Sequence, residues 1–172
     1  MGCPCQTTHL SIFSSDMSAK SVLFVCTGNT CRSPMAEALL RKAVQKRDDV
    51  IVSSAGVGAL PGQPASRETQ DILSLREAPL DAFQSRQVDE LLLAEADLIV
   101  AMTSSHAALV RQFFPDCSNS VKLLGDFIDD GEFAGLDVPD PIGMGREAYE
   151  EVAKVVEQAI PGIIQRLDEL GS

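Results

Sequence analysis

The chain has 172 residues and a net charge of −11 at pH 7, from 25 acidic and 14 basic residues. This length fits one domain with a substantial core, and the acidic balance argues against a nucleic-acid-binding surface. Hydrophobic residues make up 45% of the chain, but their longest runs are far shorter than a membrane span, so the sequence predicts no transmembrane helix.

The cysteines and histidines limit the possible compartment and cofactors. Five cysteines are an odd number, which does not indicate a disulfide framework and favours a reducing, cytoplasmic environment. The two histidines, His9 and His106, are far apart, so we expect no His-rich metal site and no cofactor. Residues 1–19 lack a signal-peptide layout and are expected to form a flexible extension before a single domain at 20–172. A partial metal site at Cys3, Cys5 and His9 is the alternative for this extension.

The first predicted elements are a strand, a tight loop and a helix start. Residues 22–25 form a short apolar run rich in β-branched and aromatic residues, which predicts a strand buried on both faces. Gly28 and Asn29 tolerate the positive φ values of a tight loop. Ser33 and Pro34 predict the helix start, with Ser33 as N-cap and the proline at the first helical position. Loop amides and the helix N-terminus would converge on one centre, which predicts an anion site.

Cys26 opens this loop and Arg32 closes it. Backbone amides and a helix dipole favour the thiolate form of a cysteine, which is its nucleophilic form. An arginine binds two oxygens of a phosphate at once, which a lysine cannot. The spacing therefore predicts attack of a thiolate on phosphorus, giving a phosphocysteine that water later hydrolyses. A structural loop with two core cysteines is the alternative.

The rest of the chain alternates strands and helices. Helices are predicted at 34–47, 65–77, near 89–94, at 104–114 and at 145–170, and strands at 50–54, 97–102 and 121–124. In the first helix Glu37 is placed on the polar face, opposite the apolar stripe. Together these elements predict an α/β fold with a small four-stranded parallel sheet and helices on both faces. Such sheets bind ligands at the carboxyl ends of their strands, where the Cys26 loop falls.

A long acidic loop at 125–141 precedes the last helix, and loops of this length in a compact domain are usually functional. Phosphoryl transfer needs a proton for the leaving group and then a base for the attacking water, and one carboxylate can supply both. The residue pattern alone does not separate Asp129, Asp137 and Asp140 for this role. His106 is interpreted as an exposed residue in the first turn of its helix rather than as a general base.

The thirteen-residue segment that begins at Cys26, CTGNTCRSPMAEA, resembles the signature of the low-molecular-weight protein tyrosine phosphatase family. The resemblance extends from about Lys20 to Leu170 and includes SSAG at 53–56, SRQV at 85–88, ADLIVAMT at 96–103 and the Asp-Pro pair at 140–141. It implies the family's α/β fold, phosphorylated proteins as substrates, no cofactor, no nucleic acid or membrane partner, and a monomer.

The resemblance also implies roles for individual residues. Cys26 would be the nucleophile, Arg32 would bind the phosphate, and Asp140 would be the general acid and base. The loop residues that would bind substrate are Thr27, Gly28, Asn29, Thr30, Cys31 and Ser33.

Four further positions follow from the same resemblance. Asn29 would stabilise the left-handed loop conformation, and Ser33 would donate a hydrogen bond to the thiolate. Ser54 would help to hold the loop, although a simple turn residue at a strand end explains it equally well. Cys31 would form a reversible disulfide with the nucleophile, or else pack as a small buried residue. Many relatives have a histidine where Phe83 stands, which puts the loop's supporting network in question here.

Two positions bear on the substrate. Phosphotyrosine enzymes of the family tend to carry a bulky apolar residue at the Thr30 position and aromatic residues after the Asp-Pro pair, where they stack on a phenyl ring. The TGNT loop instead resembles the protein arginine phosphatase branch, although that branch commonly has Phe where Ile142 stands. An acidic rim would suit a guanidinium-bearing substrate. We therefore expect phosphoarginine in proteins as the substrate, with phosphotyrosine as the alternative.

Two other functions are less consistent with the sequence. An arsenate reductase with a similar loop needs two more cysteines to relay a disulfide, and only Cys117 remains in the globular part. An inactive phosphate-binding module is disfavoured because Cys26, Arg32 and Asp140 are all present.

Overall fold

The computed structural model describes residues 19–116 and 121–170. The strands are β1 (Lys20–Cys26), β2 (Val50–Gly56), β3 (Leu98–Ala101) and β4 (Val121–Leu123), and the α-helices are α1 (Arg32–Ala43), α2 (Arg67–Leu75), α3 (Glu90–Ala94), α4 (Ser104–Phe113) and α5 (Arg146–Glu169). A 3-10 helix at Leu124–Phe127 follows β4. The expected N-terminal extension lies outside the described residues except for its last residue, and its partial metal site lies wholly outside them.

The four strands form one parallel sheet in the order β2-β1-β3-β4. This confirms the predicted α/β fold with a small parallel sheet. The central strand β1 pairs with both β2 and β3, so that Val22 lies beside Val52 on one side and Leu98 on the other. The carboxyl ends of these three strands therefore meet at one edge of the sheet, where the Cys26 loop begins.

The side chains of β1 alternate between two hydrophobic cores. Val22, Phe24 and Cys26 pack in the larger core, which includes residues of α1, α2 and α5. Leu23 and Val25 pack in the smaller core on the opposite face, which includes residues of α3 and α4. Residues 22–25 are completely buried, which explains the continuous apolar run in the sequence.

Helix α1 begins at Arg32, two residues before the predicted start, and its N-cap position is Cys31. The prediction of Ser33 as N-cap is therefore wrong. The Ser33 hydroxyl instead lies 2.9 Å from the Cys26 sulfur, so it supports the loop rather than the helix end. No side chain caps the first turn of α1, which leaves its amides free to bind an anion.

Strand β2 ends at Gly56, directly against the Cys26 loop. A Cβ atom at this position would lie 2.3 Å from the carbonyl oxygen of Thr27 and 3.0 Å from the amide nitrogen of Asn29. The backbone of Gly56 is also held, because its amide donates to Arg86 and its carbonyl accepts from Val88, both at 2.9 Å. The close approach of loop and strand therefore requires glycine at Gly56.

We expect Gly56→Ala to lower the free energy of unfolding by about 1–3 kcal/mol, because the new methyl group can fit only if the loop moves. Gly58→Ala is the matched control, since its Cβ would be 4.0 Å from Thr27 Cγ2, an ordinary contact. The control should stay within about 0.5 kcal/mol of the unmodified protein. Urea denaturation of the three proteins measures both values, and equal losses in the two variants would contradict this account of the loop.

Candidate active site

The loop between β1 and α1 begins at Cys26 and ends at Arg32. Cys26 is the last residue of β1 and only 3% exposed, and Arg32 is the first residue of α1 and 6% exposed. Asn29 in the middle of the loop has a φ of 54°, in the left-handed region. The loop therefore turns back on itself and places the Cys26 sulfur beside the start of α1, 2.9 Å from Ser33 Oγ.

The side chain of Asn29 is completely buried beneath this loop. Its Nδ2 donates to Ser33 Oγ at 2.9 Å and to Ser54 Oγ at 2.8 Å, and its Oδ1 accepts from the Arg86 amide at 2.9 Å. Because Ser33 Oγ accepts from Asn29, its own proton can be donated either to the Cys26 sulfur at 2.9 Å or to the Ala55 carbonyl at 3.4 Å. This arrangement fits the expected positions of Asn29, Ser33 and Ser54 around the loop.

The network continues from Ser54 to Glu37, a residue that sequence reasoning had placed on the polar face of α1. Glu37 is only 4% exposed, and its Oε2 accepts from Ser54 Oγ at 2.5 Å. Its other oxygen lies 2.6 Å from Arg41, one helical turn later. Burial raises the pKa of Glu37, while the Ser54 hydrogen bond and the nearby arginines oppose this rise. In the sequence, only the i, i+4 spacing of Glu37 and Arg41 could have indicated a buried role for Glu37. The same spacing is equally typical of an ion pair on a helix surface.

The network is complete although Phe83 stands where many relatives have a histidine. Asn29 Oδ1 is satisfied by the Arg86 amide, and the Arg86 side chain donates to the Ser54 carbonyl at 2.9 Å. Within the described residues, no buried side-chain nitrogen or oxygen lacks a hydrogen-bond partner. Arg86 and Glu37 are thus part of the loop support that sequence reasoning missed.

Asp140 reaches the site from the long loop before α5. Its Oδ2 lies 3.3 Å from Arg32, and its side chain is 54% exposed. Arg32 also donates to the Val138 carbonyl at 3.3 Å, which fixes this part of the loop beside the helix start. A half-exposed carboxylate in this position, beside the start of α1, can exchange protons with water.

Asp137 has a different environment, which separates it from Asp140. Its two carboxylate oxygens accept from the amide of Ser104 at 2.6 Å and from the Ser104 hydroxyl at 2.9 Å. Both oxygens of the Asp137 carboxylate therefore accept hydrogen bonds from Ser104, in the first turn of α4. The geometry distinguishes two aspartates that the sequence pattern left equivalent.

Thr30 and Cys31 line the other side of the loop. The Thr30 carbonyl accepts from the Ser66 amide at 2.8 Å, which ties the loop to the start of α2. Cys31 is buried, and its sulfur lies 3.5 Å from the Tyr149 hydroxyl. Burial and this contact raise the pKa of Tyr149 to about 12. Cys26 and Cys31 are both free thiols here, while Cys117 lies outside the described residues.

His106 is buried, and its interpretation as an exposed helix residue is wrong. The first turn of α4 faces the carboxyl edge of the sheet, so only 5% of His106 is exposed. Its Nε2 lies 2.8 Å from Thr27 Oγ1, and its Nδ1 lies 2.8 Å from Thr103 Oγ1. Thr103 caps α4 as predicted and accepts from the His106 amide at 3.2 Å. Burial, and then the positive charge of Arg32, lower the pKa of His106 to about 4.

Two negative findings apply to residues 19–116 and 121–170. These residues contain no group of three or more histidine, cysteine, aspartate or glutamate side chains arranged to hold a metal ion. None of their helices has the length and apolar character needed to cross a membrane.

The lowered pKa of His106 predicts a loss of stability in acid. The unfolded chain binds a proton at this residue near pH 6.5, whereas the folded chain does so only near pH 4. Stability from this residue is therefore present above about pH 6.5 and is lost as the pH falls toward 4, by on the order of 3 kcal/mol. His106→Gln has no titrating ring and should lack this component when unfolding is measured by urea at several pH values. Identical pH dependence of the two proteins would contradict the assignment.

Comparisons with known proteins agree with this geometry. A family model described as low molecular weight phosphotyrosine protein phosphatase matches residues 21–171. The low molecular weight protein-tyrosine phosphatase A of Mycobacterium tuberculosis is 39% identical over 152 residues, which cover 86% of this chain and 91% of that protein.

Two solved structures of arginine phosphatases are also similar. YwlE arginine phosphatase from Geobacillus stearothermophilus has a TM-score of 0.78 and 34% identity, over 87% of this chain and 94% of that one. A cysteine-to-serine mutant of YwlE arginine phosphatase, with a phosphorylated active-site serine, has a TM-score of 0.78 and 32% identity, over 86% and 95% of the two chains. From the family match over nearly the whole described chain and the 39% identity to a curated relative, we conclude that this protein belongs to the low molecular weight phosphotyrosine protein phosphatase family.

Proposed function

We propose that this protein hydrolyses phosphorylated proteins through a phosphocysteine intermediate at Cys26. One observation carries the proposal. The loop that begins at the buried Cys26 ends at Arg32, whose guanidinium contacts the half-exposed Asp140 at 3.3 Å. In this proposal a nucleophile, an anion-binding group and a proton donor would surround one centre at the open amides of α1.

The first step would transfer the phosphoryl group to the enzyme. Arg32 and the loop amides bind the phosphoryl oxygens, and the Cys26 thiolate attacks phosphorus in line. A P–S bond forms as the bond from phosphorus to the leaving oxygen or nitrogen breaks. Asp140, in its protonated form, gives its proton to that leaving atom.

The second step would release phosphate. Asp140, now a carboxylate, takes a proton from a water molecule whose oxygen attacks phosphorus. The P–S bond breaks, and its electron pair returns to Cys26 as a thiolate. Ser33 Oγ, 2.9 Å from this sulfur, can donate a hydrogen bond to it and ease its departure.

Asp140→Asn tests the proposed acid. We expect kcat/KM to fall by about 100-fold or more for substrates with poor leaving groups and much less for an activated aryl phosphate, since general acid catalysis contributes roughly 10²–10⁴-fold. Asp129→Asn is the matched control from the same exposed loop and should leave the rates unchanged. The measurement is kcat/KM across a series of leaving groups. An equal, small effect of the two substitutions across the series would exclude Asp140 as the acid.

We propose phosphoarginine in proteins as the substrate. Thr30, a small residue, takes the loop position where phosphotyrosine enzymes tend to carry a bulkier apolar one, and Ile142 after the Asp-Pro pair is 64% exposed and not aromatic. The similarity to the structures of YwlE arginine phosphatase supports this interpretation. The acidic side chains near the site, Asp137 and Asp140, would favour a guanidinium group. Phosphotyrosine is the second candidate, because the M. tuberculosis relative is named a tyrosine phosphatase.

Matched peptides carrying phosphoarginine or phosphotyrosine test the substrate directly. We expect a higher kcat/KM for phosphoarginine, and Thr30→Ile should shift the ratio at least tenfold toward phosphotyrosine, since one or two methylene-sized changes in a pocket alter discrimination by roughly 10–200-fold. Thr30→Val is the control for size, because it removes the hydroxyl but keeps the shape. An unchanged ratio in Thr30→Ile would mean that this residue does not select the substrate.

A further inference from the structure

We propose that His106 is a positioning residue. It would fix Thr27, which follows Cys26 in the loop of residues 26–32 (the phosphate loop), onto the junction between β3 and α4. The inference rests on the proposed function, because it concerns the geometry of the same anion-binding loop. No sequence signal in the loop itself points to His106, which lies 79 residues away from Thr27 in the chain.

The ring of His106 bridges two threonine hydroxyls. Nε2 lies 2.8 Å from Thr27 Oγ1, and Nδ1 lies 2.8 Å from Thr103 Oγ1. In a neutral imidazole one nitrogen donates and the other accepts, and a hydroxyl can do either, so both ring nitrogens are satisfied in either tautomer. Thr103 Oγ1 also accepts from the His106 backbone amide at 3.2 Å. Thr103 therefore holds both the backbone and the ring of His106 at the N-terminal end of α4.

Thr27 depends on this bridge because packing does not hold its side chain. Thr27 is exposed although it directly follows the buried Cys26. Its carbonyl oxygen accepts from the Gly58 amide at 3.0 Å, and its hydroxyl contacts His106. The carbonyl contact holds the peptide plane between Thr27 and Gly28, and the hydroxyl contact holds the side chain of Thr27. Together they would set the orientation of Thr27 at the start of the loop.

The same junction also holds the loop that carries Asp140. Ser104 donates twice to Asp137, and the Val138 amide donates to the Met102 carbonyl at 2.9 Å. Residues 102–106 are thus a common support for the phosphate loop on one side and the acidic loop on the other. His106 is the member of this support that reaches the phosphate loop.

Burial first, and then the positive charge of Arg32, lower the pKa of His106 and keep its ring neutral. Arg32 of α1 disfavours a second positive charge, while Asp137 and Asp140 of the acidic loop favour one. Burial adds to the effect of Arg32, so the ring is uncharged at neutral pH. A neutral ring accepts one of the two hydrogen bonds and donates the other, which the threonine hydroxyls allow in either tautomer.

Two amide substitutions separate the two ends of the bridge. In His106→Gln the side-chain amide reaches the position of Nε2 and can still bind Thr27, whereas in His106→Asn it reaches only the position of Nδ1 and Thr103. We expect His106→Asn to weaken inorganic phosphate binding, measured by calorimetry, about fivefold to tenfold, the value of one hydrogen bond. His106→Gln should stay within about twofold, and the leaving-group dependence of kcat/KM should not change in either variant, because Ser104 still holds Asp137.

Thr27→Val supplies the second half of a double-mutant cycle. It removes only the hydroxyl, so it should weaken phosphate binding as much as His106→Asn, and the double variant should lose no more than either single one. Thermal unfolding of all variants shows whether phosphate affinity merely follows stability.

Three results would overturn the proposal. These are unchanged phosphate binding in His106→Asn, an equal loss in His106→Gln at equal melting temperature, or additive losses in the cycle. Because phosphate binding is measured without turnover, an unmodified protein that binds phosphate but hydrolyses no phosphorylated substrate would refute the proposed function and leave this inference standing.

Discussion

The geometry of the site depends on one buried side-chain amide, that of Asn29. Asn29 holds a left-handed backbone conformation that few residues adopt, and its completely buried side chain makes three hydrogen bonds. An unsatisfied amide in this position would cost about 1–3 kcal/mol per lost partner, so the loop is stable only when Ser33, Ser54 and the Arg86 backbone are all in place. The shape of the loop around the Cys26 sulfur is therefore fixed by β2 and the segment after α2 as much as by the loop itself.

Sheet topology explains why these partners are available. The central strand β1 delivers Cys26 to the same edge at which β2 delivers Gly56 and β3 leads into α4. Gly56 allows the close approach of the loop, and the β3–α4 junction provides His106 and Ser104. Each neighbouring strand thus contributes a contact at its carboxyl end, which is the usual place for a ligand site in an open α/β sheet.

The sequence predicted what is encoded locally. A buried apolar run, a loop with Gly28 and Asn29, and the Cys26–Arg32 spacing lie within a dozen residues, and strand–helix alternation was sufficient to predict the parallel sheet. The N-cap assignment of Ser33 failed because its hydroxyl is used by Cys26 and Asn29, which the local pattern cannot show.

The residues that sequence reasoning misplaced are polar side chains buried by distant elements. Glu37 was assigned to the polar face of α1, and its burial and its contact with Ser54 show that it belongs to the loop support. His106 was interpreted as exposed because the sequence does not show which way the first turn of α4 faces, since tertiary packing sets that direction. The residue pattern alone did not separate Asp140 from Asp137, and the resemblance assigned the role to Asp140. The structure distinguishes the two by the contact of Asp137 with Ser104, which is 33 residues away in the chain.

The central claim is that the phosphoryl group passes through Cys26. Rapid mixing of enzyme with a phosphorylated peptide, a denaturing quench at successive times and mass spectrometry of the digested protein would test it most directly. The account predicts a phosphoryl group on the Cys26 sulfur that forms before phosphate is released and then decays. Hydrolysis with no phosphorylated enzyme at any time, or with the group on another residue, would contradict it.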